Sequence, residues 1–321
     1  MTDMRTHRIS TISRRRVLAM VRRYWYLLRG SWPRIVELMY WPTIQMIMWG
    51  FITMHLRDSS TWVAQAAGVL LTGVLLWDIL FRGQLGYTLS FLEEMYSRNL
   101  GQLFVSPLRP VEMVVALMTI SLLRTLIGIL PATLLAIPLF AWNVFTIGLP
   151  LITFFFMLLI TGWAVGMAVT AMLLRVGLGG ESLAWFVIFL LIPISAVYYP
   201  VDVLPVWLQW IAFALPPVYV FEGMRAVLFD GVFRWDYFAA ALALNGFLLA
   251  LGATAFLWAC FKGSVECMEM LVDWQPQYGN VDSMLVQIAA FLACSARVAE
   301  IAGTSGGGNG APREFSEASA R

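Results

Sequence analysis

Ser90-Phe-Leu-Glu-Glu-Met-Tyr-Ser-Arg98-Asn-Leu-Gly-Gln-Leu-Phe-Val-Ser-Pro107-Leu-Arg-Pro110 is a polar interruption in a chain that otherwise reads as lipid-soluble helix. Its first half predicts a short amphipathic helix carrying Glu93, Glu94 and Arg98, and its second half a turn bracketed by Pro107 and Pro110. Glu94 and Arg98 are spaced one helical turn apart with the acid first, the favourable order for a helical ion pair. A turn whose backbone is unpaired cannot lie in hydrocarbon. The stretch therefore predicts a connection between two membrane spans, in water or against a partner protein.

The composition on either side supports this. Of 321 residues, 60% are hydrophobic and 12% charged, whereas about a quarter of an ordinary soluble domain is charged. The expected fold class is all-α, a polytopic membrane protein with six transmembrane helices. The spans fall at roughly 35–56, 62–81, within 111–140, at 149–174, 182–199 and 237–261, each close to the ~20 residues a bilayer requires. Pro131 and Pro138 are expected to interrupt the third, and Gly162 and Gly166 in the fourth form a small-xxx-small pattern that permits close helix contact. Between the last two spans Pro200, Pro205, Pro216 and Pro217 punctuate segments 206–215 and 218–229. These are too short to span and predict outer-surface or re-entrant helices, with Trp207 and Trp210 at an interfacial depth.

Charge is unevenly spread. Residues 1–34 hold nine arginines against one acid, Asp3, and from Val17 the arginines alternate with apolar residues. That spacing predicts an amphipathic helix lying along an anionic lipid surface, or a simple retention signal. Basic flanks stay inside, so six spans leave both termini cytoplasmic. Three regions follow: a basic tail with its interfacial helix (1–34), a six-span membrane domain (35–262) and a cytoplasmic tail (263–321). Within that tail 284–301 reads as a surface helix rather than a seventh span, and 304–321 as Gly/Ser-rich disordered chain.

Several charged residues fall within or beside the spans. Asp78 precedes Arg82 by four residues; it reads either as half of an interfacial ion pair or as a polar group facing a transport cavity. Arg124 lies well inside the third span, with no obvious acid at matching depth, and is either structurally paired or cavity-lining. Glu222 and Arg225 share a helix face, as a local ion pair or a polar lip over an exit path. No GxxxxGK[ST] phosphate loop occurs, Lys262 is the only lysine, and Cys260, Cys267 and Cys294 lack CxxC spacing. His7 and His55 have no ligand-like neighbours, so no metal site and no cofactor in this chain are expected. The missing motifs favour transport or scaffolding over catalysis, and nucleic-acid binding is not expected.

In this order the elements resemble the type-2 family of ATP-binding-cassette (ABC) transporter permeases. Glu93-Glu94-Met-Tyr-Ser-Arg98 leading to Val-Ser-Pro107-Leu is similar to the family's acidic–basic helix and its Thr/Ser-Pro-Leu turn. Leu215-Pro216-Pro217-Val-Tyr219-Val-Phe-Glu222-Gly223-Met-Arg225 resembles its Asn-Pro-Leu-Thr-Tyr…Glu-Gly-Leu-Arg element, with Leu215 in place of the asparagine. The basic helix before span 1 completes the likeness, over about residues 14–262. The resemblance implies a plasma-membrane export permease (inner membrane in a Gram-negative cell) that works as a homodimer or heterodimer. ATP and Mg would be bound by a separate ATPase subunit. It places Glu93, Glu94 and Arg98 on the ATPase-coupling helix and Tyr219, Glu222 and Arg225 at an outer gate. The alternatives are an ATP-independent carrier, a lipid-acting enzyme subunit or a structural membrane-complex subunit.

Overall fold

A computed structural model describes residues 12–57, 61–97, 99–106 and 108–274. His7, Asp58, Arg98, Pro107, Cys294 and the tail segments 284–301 and 304–321 lie outside the described residues. Every regular element among the described residues is helical, as expected where lipid cannot satisfy backbone polar groups.

The chain opens with α1 (Arg14–Arg29). Met20, Tyr24 and Leu28 recur at helical spacing and are buried, forming one stripe. Arg14, Arg15, Arg22 and Arg29 are exposed. One face of α1 therefore packs on the bundle and only the other is left for lipid. α2 (Trp32–Arg57) carries Pro42 in its interior and leaves Trp41, Met48 and Phe51 exposed.

α3 (Thr61–Tyr96) departs from the expected break after residue 81: it continues for a further fifteen residues and carries Glu93 and Glu94 on its own last turns. Phe91 and Leu92 there are fully buried, so the apolar stripe that drives the helix does not stop where the charges begin. The separate short helix is α4 (Leu100–Val105), which carries neither acid. α3 ends at Tyr96, and the expected pairing of Glu94 with Arg98 lies outside the described residues.

α5 (Pro110–Phe140) runs through Pro131 and Pro138 without interruption, contrary to expectation; membrane helices tolerate proline where neighbours re-satisfy the backbone. α6 (Leu149–Val176) follows, then α7 (Glu181–Ile194), which is 14 residues long. At 1.5 Å per residue α7 measures about 21 Å, short of the ~30 Å hydrocarbon core. It stops at Ile194 instead of reaching Tyr199 because Ala196 takes a left-handed conformation, φ 50°. α8 (Val206–Phe213) and α9 (Pro216–Asp230) are bent by 97° at their junction. α8 exposes Val206, Trp207 and Trp210, whereas α9 buries Pro216 to Val218, Phe221 and Arg225. α10 (Trp235–Trp274) closes the bundle. Among the described residues five helices are long and apolar enough to cross a bilayer, or six if the bent α8–α9 pair counts as one.

α3 is the central helix, and glycine sets its distance from α6. A Cβ on Gly162 would lie 2.8 Å from the Leu80 carbonyl oxygen and 2.9 Å from the Gln84 nitrogen. On the other side of α6, a Cβ on Gly252 of α10 would lie 2.7 Å from the Ala164 oxygen. Backbone cannot rotate away as a side chain can, so Gly162→Ala must push α6 from α3, at about 1–3 kcal/mol. Thermal unfolding of the detergent-solubilised protein should show the loss. Gly246→Ala, whose methyl meets nothing within 4 Å, should leave the midpoint unchanged or raise it slightly.

Candidate functional site

The last two turns of α3 join four helices by polar contacts. Glu94 is 1% exposed and accepts Arg23 Nη2 of α1 at 2.9 Å and Asn99 Nδ2 at 2.8 Å. Glu93 accepts Arg34 Nη1 of α2 at 3.1 Å and Arg124 Nη2 of α5 at 3.0 Å. The Tyr96 hydroxyl donates to Glu181 at the start of α7. Beside this cluster Tyr24 is fully buried. Burial first, then the neighbouring Glu94 carboxylate, hold its phenol above the ordinary value, so Tyr24 is neutral at physiological pH.

A second joint fixes α1 to α5. Arg16 donates from Nε to Glu112 Oε2 at 2.7 Å and from Nη2 to Oε1 at 2.6 Å, a bidentate fork. Glu112 also accepts the backbone N–H of Ser13 at 2.8 Å and of Arg109 at 3.1 Å. As the third residue of α5 it caps the helix start while compensating the guanidinium.

Between α2, α3 and α7 at the same end lies a cavity of about 490 Å³. Its wall is aromatic: the Phe81 and Trp185 ring centroids are 6.1 Å apart, and Trp185 and Phe189 stack at 6.3 Å. Trp41, Trp77 and Tyr198 extend that wall. Asp78 and Arg82 line it too, hydrogen-bonded at 2.9 Å and both buried. Arg124 and Glu93 complete it near the α1 end. The structure thus brings Asp78, Glu93 and Arg124 to one cavity. Arg124, which had no evident acidic partner within its own span, pairs with Glu93 from the end of α3 at 3.0 Å.

Tyr219, Glu222 and Arg225 form a separate group on α9. Glu222 Oε1 accepts Arg225 Nη1 at 2.9 Å and the Val201 N–H at 2.9 Å. Arg225 Nη2 donates to the carbonyls of Tyr199 at 2.7 Å, Val197 at 3.2 Å and Ala196. Tyr219 donates its hydroxyl to the Phe213 carbonyl at 2.9 Å. Together they clamp the 196–201 turn and the end of α8 onto α9.

The chain matches the ABC-2 type transporter membrane family over residues 9–229. It belongs to that family. No curated protein matches the chain. The protein is accordingly a multi-pass permease subunit of an ABC-type transporter, and members of the family generally pair with an ATP-binding-cassette ATPase. In this permease Arg16, Arg23, Arg34, Asn99 and Glu112 are the contacts that the sequence reading missed. Glu112 had a signal, since Pro110 with an acid two positions on is a helix-start pattern. The arginines had none: nothing in the basic run separates Arg16 and Arg23, which are paired, from Arg15 and Arg22, which are exposed.

Proposed function

We propose that the permease is an exporter worked by alternating access, with ATP and its Mg ion bound in a separate ATPase subunit. It acts in the plasma membrane as a dimer of this chain or of this chain with a similar one, its termini cytoplasmic. The supporting observation is the polar junction at the end of α3, where Glu93, Glu94 and Tyr96 reach α1, α2, α5 and α7. The connection 97–109 leads directly out of this junction, and the cavity lies directly behind it. A push from the ATPase on α4 would move a cavity wall through these contacts.

In this reading Glu93 and Glu94 transmit the movement from inside the permease, and the ATPase touches exposed groups such as Gln102. Arg98 belongs to the same coupling segment. Asp78 and Arg124 line the substrate path, and Tyr219, Glu222 and Arg225 hold the far gate. A transmitted shift changes the cavity only if the ATPase interacts differently with the two permease states.

Co-purification tests the proposal. An ATP-binding-cassette ATPase should accompany the detergent-solubilised permease. Gln102→Arg should weaken that association about tenfold, or about 1.4 kcal/mol, with no change in thermal midpoint. A permease that brings no ATPase with it, yet moves substrate, would be an ATP-independent carrier.

A further inference from the structure

We infer that the α1-end cavity takes an amphiphile with an anionic head, a phosphate or carboxylate, and an apolar body; this rests on the cavity being the substrate path proposed above. The Arg124 side chain is 6% exposed, and its Nε–H has no hydrogen-bond acceptor among the described residues. A buried donor without a partner is destabilising, and more so when charged. A ligand oxygen at that N–H would remove the cost.

The surrounding charges favour an anion there. Glu93 is shared by Arg34 and Arg124, so one carboxylate faces two guanidinium groups. Asp78 is already matched by Arg82. Arg34 and Glu37 both line the cavity at exposed positions, where water and salt screen them, so the buried Arg124 guanidinium is the charge least screened there. A cationic head would therefore meet a carboxylate that is either already compensated or screened.

Beyond Arg124 the wall turns apolar. Trp185 and Phe189 are 37% and 54% exposed and stack on each other beside Phe81. They present ring faces with no charge. At about 490 Å³ the cavity is within the ~300–1,000 Å³ range of sites for drug-sized ligands. The body of the amphiphile lies on this wall with its head toward the α1 end.

Trp41, Trp77 and Trp185 line the cavity and report occupancy by fluorescence. The full-length permease in neutral-lipid nanodiscs is titrated with octyl phosphate, octyltrimethylammonium and inorganic phosphate. Octyl phosphate should bind at least about tenfold tighter than either, a difference of about 1.4 kcal/mol. Arg124→Gln should abolish the preference, Arg34→Gln should reduce it, and Glu37→Gln should leave it. Arg124→Gln leaves Glu93 paired with Arg34, and its thermal midpoint verifies folding. Competition by phosphatidylglycerol in the nanodisc would identify a bilayer lipid as the source of the head group; binding without competition would identify a soluble amphiphile. A preference for octyltrimethylammonium, or a folded Arg124→Gln variant that binds octyl phosphate as wild type does, overturns the inference. An ATPase that still co-purifies in that case leaves the permease reading intact.

Discussion

Arg225→Met should destabilise the permease by about 3–5 kcal/mol, the range for removing one partner of a buried charge pair. Arg225 is 8% exposed, and its guanidinium serves the carbonyls of Ala196, Val197 and Tyr199 as well as Glu222. Methionine fills much of the volume but leaves those oxygens without a donor, and an unmade buried hydrogen bond costs more than a made one contributes. The turn they belong to is already held in a sparse conformation at Ala196, which persists only when its surroundings over-determine it. Arg225→Lys should recover little, because one ammonium cannot reproduce a planar fork. Glu222→Gln should cost less, since the amide oxygen can still accept the Val201 N–H. Thermal unfolding of the three variants checks the order, with Met lowest and Gln highest. A Met variant as stable as wild type would remove the clamp from this account.

Glu94→Arg should be comparably damaging, at about 3–5 kcal/mol. The substitution puts a second guanidinium beside Arg23 in a place that is 1% exposed, where screening is weak. Restoring the charge pair in reverse is the informative measurement. The double variant Arg23→Glu/Glu94→Arg should regain at least half of the lost stability, because Asn99 can turn its amide and offer oxygen instead of nitrogen. If the double variant is no better than the single one, the link between α1 and α3 is not electrostatic. Coupled ATPase activity read on the same proteins separates folding from transmission. A double variant with restored stability and poor coupling would assign transmission to the geometry of the native pair.

Residues 93–112 show where local reading works and where it fails. Hydropathy is a sum over neighbours in the chain, and it located α5 and α6 within two residues of their ends and the start of α10, which runs on thirteen residues past the expected end at 261. The same local sum ended the second span at residue 81 and assigned Glu93 and Glu94 to a separate short helix, whereas α3 runs on to Tyr96. Their side chains leave the apolar stripe, but Phe91, Leu92 and Met95 keep it packed to the last turn. α7 failed for a related reason. Segment 182–199 carries no charge, and the left-handed turn at Ala196 that ends the helix after Ile194 is held by Arg225, which captures its carbonyls from 26 to 29 residues away.

By itself the sequence determined the membrane class, the all-helical architecture and a likeness to a permease family. Each follows from local quantities: apolar run length, proline spacing, arginine bias and two short motifs. The tertiary structure alone decided which charges meet. Arg23 and Glu94 are 71 residues apart, Arg16 and Glu112 96, and Arg34 and Glu93 59. No periodicity carries information over such separations. A charge in a membrane protein must find a partner, but which one depends on how α1, α2, α3 and α5 converge at one end of the bundle. That convergence turned scattered charged residues into a joint and a cavity.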